Sequence, residues 1–127
     1  MKKIHSTYSN WKHSMNYAAK GLHHIFTHEQ NFRIQCVIGL FVFLCSIFLP
    51  LGTIERIVII GLILMVLILE ICNSVVEQLA DILKPRLNYQ VKSIKDMMAA
   101  AVLIAALGSL GIGAYIFTPY FIEVFFK

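Results

Sequence analysis

Three long apolar runs constrain this chain more than any other feature of its sequence. Residues 34–54 contain no Asp, Glu, Lys or Arg over 21 positions, and residues 97–122 contain none over 26. Between them, residues 57–83 carry only three charges, on Glu70, Glu77 and Asp81. A helix needs about 20 apolar residues to cross the hydrocarbon core of a bilayer. The sequence therefore predicts an all-α integral membrane protein with transmembrane helices over about 31–49, 55–83 and 92–117.

The composition supports this class and excludes others. Apolar residues make up 58% of the chain and charged residues 14%, whereas charged residues are about 25% of a typical soluble domain. Disordered chains have low hydrophobicity and high charge, so disorder is excluded, and a soluble enzyme of this size is disfavoured. The sequence also lacks a Gly-x-x-x-x-Gly-Lys phosphate loop.

The basic residues predict the orientation in the membrane. Nine of the eleven Lys and Arg residues precede the first span or lie within 84–95, and Arg56 and Lys127 fall on the other side. Cytoplasmic loops carry an excess of Lys and Arg, so we expect the N-terminus and the 84–95 connection in the cytoplasm. The net charge of +4 then reflects topology and attraction to anionic lipids, and no nucleic-acid partner is expected.

The segment before the first span has the periodicity of an amphipathic helix. Trp11, Met15 and Leu22 follow helical spacing, while Lys12 and Lys20 lie on the opposite face. Tryptophan on one face and lysine on the other is typical of helices that lie in the membrane interface. We predict an N-terminal amphipathic surface helix over about 6–29, with packing against a soluble partner as the alternative.

The charges inside the second span are the most informative residues. Glu70, Asn73, Glu77 and Asp81 fall within a stripe about 80° wide at 100° per residue. Glu70 lies about 16 Å deeper than Asp81 at 1.5 Å per residue. Carboxylates at such depth are costly and are functional candidates by default. A polar stripe that only fastens helices together is the structural alternative.

The residue types on this stripe suit phosphate chemistry. Mg²⁺ is usually held by one or two carboxylates together with substrate phosphates. Glu70, among apolar neighbours, can act as a general base. Lys95 can reach phosphate oxygens as a point charge, and Glu29 provides one more carboxylate at the same interface. These groups are the parts needed to transfer a phosphoryl group from Mg-ATP to a hydroxyl at membrane depth.

A longer motif carries a family resemblance. The block Glu70-x-x-Asn73-x-x-x-Glu77-x-x-x-Asp81 is followed by Ile94-Lys95-Asp96 and by Ala99-Ala-Ala-Val-Leu-Ile104. Upstream, the match continues through Asn31-Phe32-Arg33 and Glu29 to Lys20-Gly21-Leu22 and Tyr17. In these residues the chain resembles the prokaryotic diacylglycerol kinase family, which includes undecaprenol kinases. The resemblance covers nearly the whole chain as a single lipid kinase domain, 1–127.

The resemblance implies a homotrimer in the bacterial plasma membrane, with cytoplasmic active sites built between neighbouring subunits. It implies that Glu70 is the catalytic base, that Asn73 supports it, and that Mg²⁺ is the cofactor. The metal ligands are expected to be Glu29 and Glu77. The residues expected to contact ATP are Tyr17, Glu29, Glu77, Asn88, Lys95 and Asp96. Those expected to contact the lipid are Asn31, Arg33, Arg56 and Glu70.

The chain departs from the family pattern at two places. The family usually has Glu-Tyr-His where this chain has Arg86-Leu87-Asn88, and only Asn88 is carried over from that loop. Asn10 replaces an arginine that some members use for nucleotide, and Lys12 is close enough to substitute for it.

The sequence does not distinguish between the two lipid acceptors, diacylglycerol and undecaprenol. Asn31-Phe32-Arg33 and residues 111–119 resemble the undecaprenol kinase branch. The catalytic residues suit diacylglycerol and undecaprenol equally, because both present a primary alcohol at the interface.

Two other classes of function also remain. A cation- or proton-coupled transporter uses membrane carboxylates as relays, but residues 57–69 are wholly apolar, so the stripe opens toward one side only. A non-catalytic membrane subunit is the second alternative, and the departure at residues 86–88 is the kind of change that such a protein accumulates.

Overall fold

Four helices form the fold. The computed structural model describes the backbone of residues 2–83 and 88–125 and the side chains of residues 11–83 and 89–124. The helices are α1 (Lys2–His28), α2 (Gln30–Phe48), α3 (Thr53–Leu83) and α4 (Asn88–Phe125). The last three are each long and apolar enough to cross a membrane. The predicted all-α membrane fold with three spans is therefore confirmed.

The helices extend beyond several of the predicted boundaries. Helix α1 begins at Lys2, because no glycine or proline precedes Gly21 to stop it. Helix α4 begins at Asn88 and continues to Phe125 through Pro119, whereas the sequence predicted a span over 92–117. A proline within a helix removes one backbone hydrogen bond, but membrane helices tolerate this. Helix α4 is therefore longer at both ends than the span that hydropathy predicts.

A tight turn joins α2 to α3, as Pro50 and Gly52 predict. Leu51 N–H donates to Leu49 O at 2.8 Å within this turn. The two helices then run antiparallel, and Gly39 of α2 faces the side chain of Ile63 on α3. A Cβ on Gly39 would lie 2.9 Å from the Ile63 Cγ2 atom, so a larger residue there would require the Ile63 side chain to shift.

Helices α3 and α4 also pack against each other in antiparallel directions. Lys95 meets Glu77 near one end of the pair, and Tyr120 meets Glu55 near the other. The best buried apolar cluster lies close to the second end, where Ile59 is 1% exposed and packs with Leu51 and Ile116. This core holds α3 against α4, and α3 is the helix that carries the polar stripe.

The chain divides into two compact units, residues 1–30 and residues 31–127. Helix α1 makes up nearly all of the first unit. Its apolar residues Trp11, Met15 and Leu22 are more than half exposed, and the described polar residues of this helix are exposed as well. Helix α1 therefore leaves these three apolar side chains exposed, although Ile25 on the same helix is buried.

Candidate active site

The C-terminal half of α3 carries the polar stripe from a buried to an exposed position. Glu70 is 5% exposed and Asn73 is 8% exposed. Glu77 is partly exposed, and Asp81 is exposed one turn further along. The helical spacing of these residues explains why they share one face. The structure thus brings together four of the residues that the sequence singled out, along a gradient of increasing exposure.

Asn73 has an unusual position within this stripe. Its Oδ1 atom is buried and accepts no hydrogen bond from any residue that the structure describes. By contrast, the neighbouring Ser74 hydroxyl donates to Glu70 O at 3.1 Å and is satisfied within its own helix. Buried polar atoms are nearly always paired. An amide oxygen without a partner, one turn from Glu70, is therefore suited to receive a donor from a bound molecule.

Helix α4 brings a cation to the stripe. The Lys95 Nζ atom lies 3.7 Å from Glu77 Oε1, and both side chains are partly exposed. Asp96 follows directly and is exposed. Lys95 thus joins Glu77 in one local cluster, as the predicted phosphate site requires.

The other residues that were predicted to contact ATP are Tyr17, Glu29 and Asn88. Tyr17 is exposed on α1, and Glu29 lies between α1 and α2, where its N–H donates to Ile25 O at 2.8 Å. Both belong to the first unit of the chain. Asn88 is the first residue of α4, but its side chain lies outside the described part, as do Arg86 and Leu87.

The predicted lipid contacts fall at opposite ends of the bundle. Asn31 and Arg33 lie in the first turn of α2, at the same end as the polar stripe. Arg56 is 14 positions before Glu70 on α3, which corresponds to about 21 Å along the helix. Its guanidinium donates to Ser46 O at 3.2 Å and to Leu51 O at 3.4 Å. The structure therefore does not bring Arg56 together with Glu70.

Sequence reasoning missed a polar cluster around Arg56. The Glu55 carboxylate accepts hydrogen bonds from Gly52 N–H at 2.8 Å and from the Tyr120 hydroxyl at 2.5 Å. The spacing of Gly52 and Glu55 is that of a helix N-terminal cap, which the sequence contains. The Tyr120 contact joins residues 65 positions apart, and no local pattern indicates it.

An apolar groove continues the face of the stripe toward the other end of α3. The groove has a volume of about 590 Å³ and is lined by α2, α3 and α4. Its α3 residues fall within about 80° of Glu70 at 100° per residue; they are Ile59, Leu62, Ile63, Val66 and Leu67. One face of α3 is therefore polar in its C-terminal half and lines an apolar groove in its N-terminal half. An amphiphile has the same arrangement of a polar head and an apolar tail.

These features define a membrane-embedded helical protein with a carboxylate-rich site at the end of an apolar groove. Comparison with known proteins agrees with the motif. Residues 16–117 match the family model described as prokaryotic diacylglycerol kinase. The chain belongs to this family.

Curated relatives carry the names of lipid kinases. A diacylglycerol kinase of Synechocystis sp. is 31% identical over 107 residues, which are 84% of this chain and 61% of that protein. An undecaprenol kinase of Bacillus subtilis is 30% identical over 84% of this chain and 86% of its own. A diacylglycerol kinase of Escherichia coli is 34% identical over 70% of this chain and 73% of its own. The predicted membership of a lipid kinase family is confirmed.

Proposed function

We propose that this protein transfers the γ-phosphoryl group of ATP to the hydroxyl of a membrane lipid, either diacylglycerol or undecaprenol. The observation that carries the proposal is the exposure gradient on one face of α3. Glu70 is buried at 5% exposure, while Glu77 lies two turns away, partly exposed and 3.7 Å from a lysine. A lipid hydroxyl reaches the first carboxylate from the bilayer, and a water-soluble nucleotide reaches the second from the surface.

In the mechanism we propose, Glu70 acts as the general base. Its carboxylate accepts the proton of the lipid hydroxyl as that oxygen attacks the γ-phosphorus, and the bond from phosphorus to the ADP oxygen breaks. The Asn73 amide orients the reacting groups through its Oδ1 atom. Lys95 places its ammonium group on the phosphate oxygens. The products are a lipid phosphate and ADP.

The residues present fit a magnesium ion. The Glu77 carboxylate lies where a cation already approaches it. The described residues contain no cluster of three His, Cys, Asp or Glu side chains that could hold a metal alone. Mg²⁺ is commonly held by one or two carboxylates and substrate phosphates, and we propose Glu77 and Glu29 as those carboxylates. When bound, Mg²⁺ offsets the charge of the phosphates.

The apolar groove suits the hydrocarbon chain of the lipid. It begins at Val66 and Leu67, one turn from Glu70, and extends toward the N-terminal end of α3. Gly113 lines the groove, and a Cβ at this position would meet none of the described atoms within 4 Å. A lipid with its hydroxyl at Glu70 would bury its chain against these residues, which removes apolar surface from contact with other lipids and fixes the position of the hydroxyl.

We further propose that the site faces the cytoplasm of a bacterial plasma membrane and that the enzyme is a homotrimer. The distribution of basic residues supports the orientation. The family resemblance supports the assembly, and the single chain leaves large apolar side chains exposed on every span, among them Val37, Leu64 and Ile104. A trimer would cover part of this surface and lipid would cover the rest.

The test is a phosphorylation assay with the purified protein in mixed micelles. Mg-[γ-³²P]ATP is supplied with diacylglycerol or undecaprenol in separate reactions, and the lipids are separated by chromatography. Label in phosphatidic acid identifies a diacylglycerol kinase, and label in undecaprenyl phosphate identifies an undecaprenol kinase. Folded protein that labels neither lipid would contradict the proposal and would favour a non-catalytic subunit.

A further inference from the structure

The contact between Lys95 and Glu77 shows which partner each of these side chains has when no substrate is bound. At 3.7 Å, the Nζ–Oε1 distance is too long for a good hydrogen bond, although the charges attract each other. The side chains are 38% and 35% exposed, so water competes for both. Pairs of this kind contribute little to stability. The contact is therefore easily exchanged for a stronger partner.

Each member of the pair has a stronger partner in the proposed reaction. A carboxylate oxygen prefers a divalent cation to a distant ammonium group, and an ammonium group is attracted to the multiple charges of a triphosphate. Lysine carries its charge on a flexible four-carbon stem and can move between acceptors without a change in the backbone. The two exchanges are compatible because the metal and the triphosphate arrive together.

We propose that Lys95 is the resident counter-cation of Glu77 in the substrate-free enzyme, and that Lys95 and Glu77 exchange partners when the metal nucleotide binds. Glu77 exchanges the ammonium group for the metal, and Lys95 exchanges the carboxylate for phosphate oxygens. This inference rests on the proposed function, since it assigns Glu77 to the metal and Lys95 to ATP.

The exchange has a consequence for selectivity between ligands. A metal ion without nucleotide must compete with Lys95 for Glu77 and leaves the ammonium group without an acceptor. A metal nucleotide satisfies both residues at once. Lys95 thus weakens the binding of free metal and strengthens the binding of the metal nucleotide, which couples the two ligands thermodynamically.

Binding of Mn²⁺ without nucleotide tests the proposal directly. The free Mn²⁺ signal in electron paramagnetic resonance is titrated with detergent-solubilised wild type, Lys95→Met and the matched control Lys92→Met. Lys92 is exposed on α4, three positions earlier, and carries the same charge. We expect Lys95→Met to bind Mn²⁺ about threefold to fivefold more tightly than wild type, and Lys92→Met to differ from wild type by less than twofold.

Two further measurements test whether the gain in Mn²⁺ affinity arises at Glu77 and whether Lys95 contacts the nucleotide. In the Lys95→Met background, Glu77→Gln should abolish the gain in Mn²⁺ affinity, because the gained site is Glu77. Lys95→Met should also bind ATP-Mg more weakly than Lys92→Met does. Equal Mn²⁺ affinity in wild type and Lys95→Met, equal tightening by both lysine variants, or no Mn²⁺ binding by any of them would overturn the proposal. Lys95→Gln, which keeps a polar side chain, serves if Lys95→Met does not fold.

The outcome is separable from that of the proposed function. Mn²⁺ binding is measured without lipid and without turnover. A lipid assay without product would therefore refute the lipid kinase proposal and leave the Mn²⁺ result standing. Conversely, an active lipid kinase with unchanged Mn²⁺ affinity in Lys95→Met would refute the exchange alone.

Discussion

The two ends of α3 both carry charged residues within a membrane span, but the polar side chains at the two ends differ in their hydrogen-bond partners. At the N-terminal end, Glu55 accepts bonds from Gly52 N–H and the Tyr120 hydroxyl, and Arg56 donates to two backbone carbonyls of the preceding turn and helix. In the C-terminal half, Asn73 Oδ1 is buried without a hydrogen bond among the described residues. Glu77 has a lysine at 3.7 Å.

This difference is the one we expect between a structural cluster and a functional one. Polar groups that fix a fold gain most when they are paired with each other, because an unpaired buried polar atom costs free energy. Polar groups that act on a substrate must keep capacity for it. The N-terminal cluster ties α2, α3 and α4 together, whereas the C-terminal stripe contains a buried acceptor, Asn73 Oδ1, without a hydrogen bond among the described residues. Four substitutions test this contrast, from the largest expected effect to the smallest.

The largest effect is expected from replacing the buried carboxylate. Glu70→Gln keeps the shape of the side chain but removes the base, so kcat should fall by about three orders of magnitude while the protein stays folded. Glu55→Gln is the matched control on the same helix and should keep kcat within a few-fold of wild type. Initial rates of lipid phosphorylation and thermal unfolding check both. Wild-type turnover by Glu70→Gln would remove its assignment as the base.

The next effect concerns the unpaired amide. Asn73→Leu has nearly the same volume but no polar atom, so we expect kcat to fall by about tenfold to a hundredfold. The free energy of unfolding should stay equal or rise by about 1 kcal/mol, since an unsatisfied buried acceptor is removed. Kinetics and detergent unfolding measure the two quantities. A variant that is both active and destabilised would show that Asn73 is a structural residue.

A smaller effect is expected from filling the groove. Gly113→Leu places a side chain in the space where we propose the lipid chain lies. The ratio of kcat/KM for long-chain to short-chain lipid alcohols should fall by about fivefold to tenfold. Gly111→Leu is the matched control, because Gly111 has equally open surroundings among the described residues but does not line the groove. Equal ratios in the two variants would place the lipid chain elsewhere, and a changed oligomeric state in Gly113→Leu alone would assign the groove to a subunit contact.

The smallest effect on activity is expected at the N-terminal cluster. Tyr120→Phe removes the hydroxyl that donates to Glu55 and should lower the melting temperature by a few degrees with kcat unchanged. Thermal unfolding followed by circular dichroism, together with the lipid assay, provides the test. A large loss of kcat without a loss of stability would show that this end of α3 also takes part in the reaction.

The C-terminal side of this contrast could be predicted from the sequence, because the polar stripe depends on the spacing of residues along a single helix. The spacing of Glu70, Asn73 and Glu77 dictates a shared face once the segment is a helix, and the apolar runs dictate the helix. Depth along the span then predicts that Glu70 lies further from the membrane surface than Glu77. The pairing of Lys95 with Glu77 required one further fact, that α3 and α4 are antiparallel neighbours.

The remainder depended on tertiary structure that no local pattern contains. The contact between Glu55 and Tyr120 arises from the register between two helices, which the sequence alone does not specify. The same register places Gly113 in the groove and leaves Gly111 outside it. Helix α4 also extends beyond the predicted span, since a helix can continue past its apolar segment in both directions.

The most direct test of the account asks which end of α3 receives the lipid hydroxyl. A lipid alcohol that is a substrate in the assay, with a diazirine next to its hydroxyl, is photolysed with the enzyme, and the adducts are mapped by mass spectrometry. We predict adducts at Glu70 and in the turn around it, which excess unmodified lipid should suppress. Competable adducts at Glu55 instead of Glu70 would contradict the account.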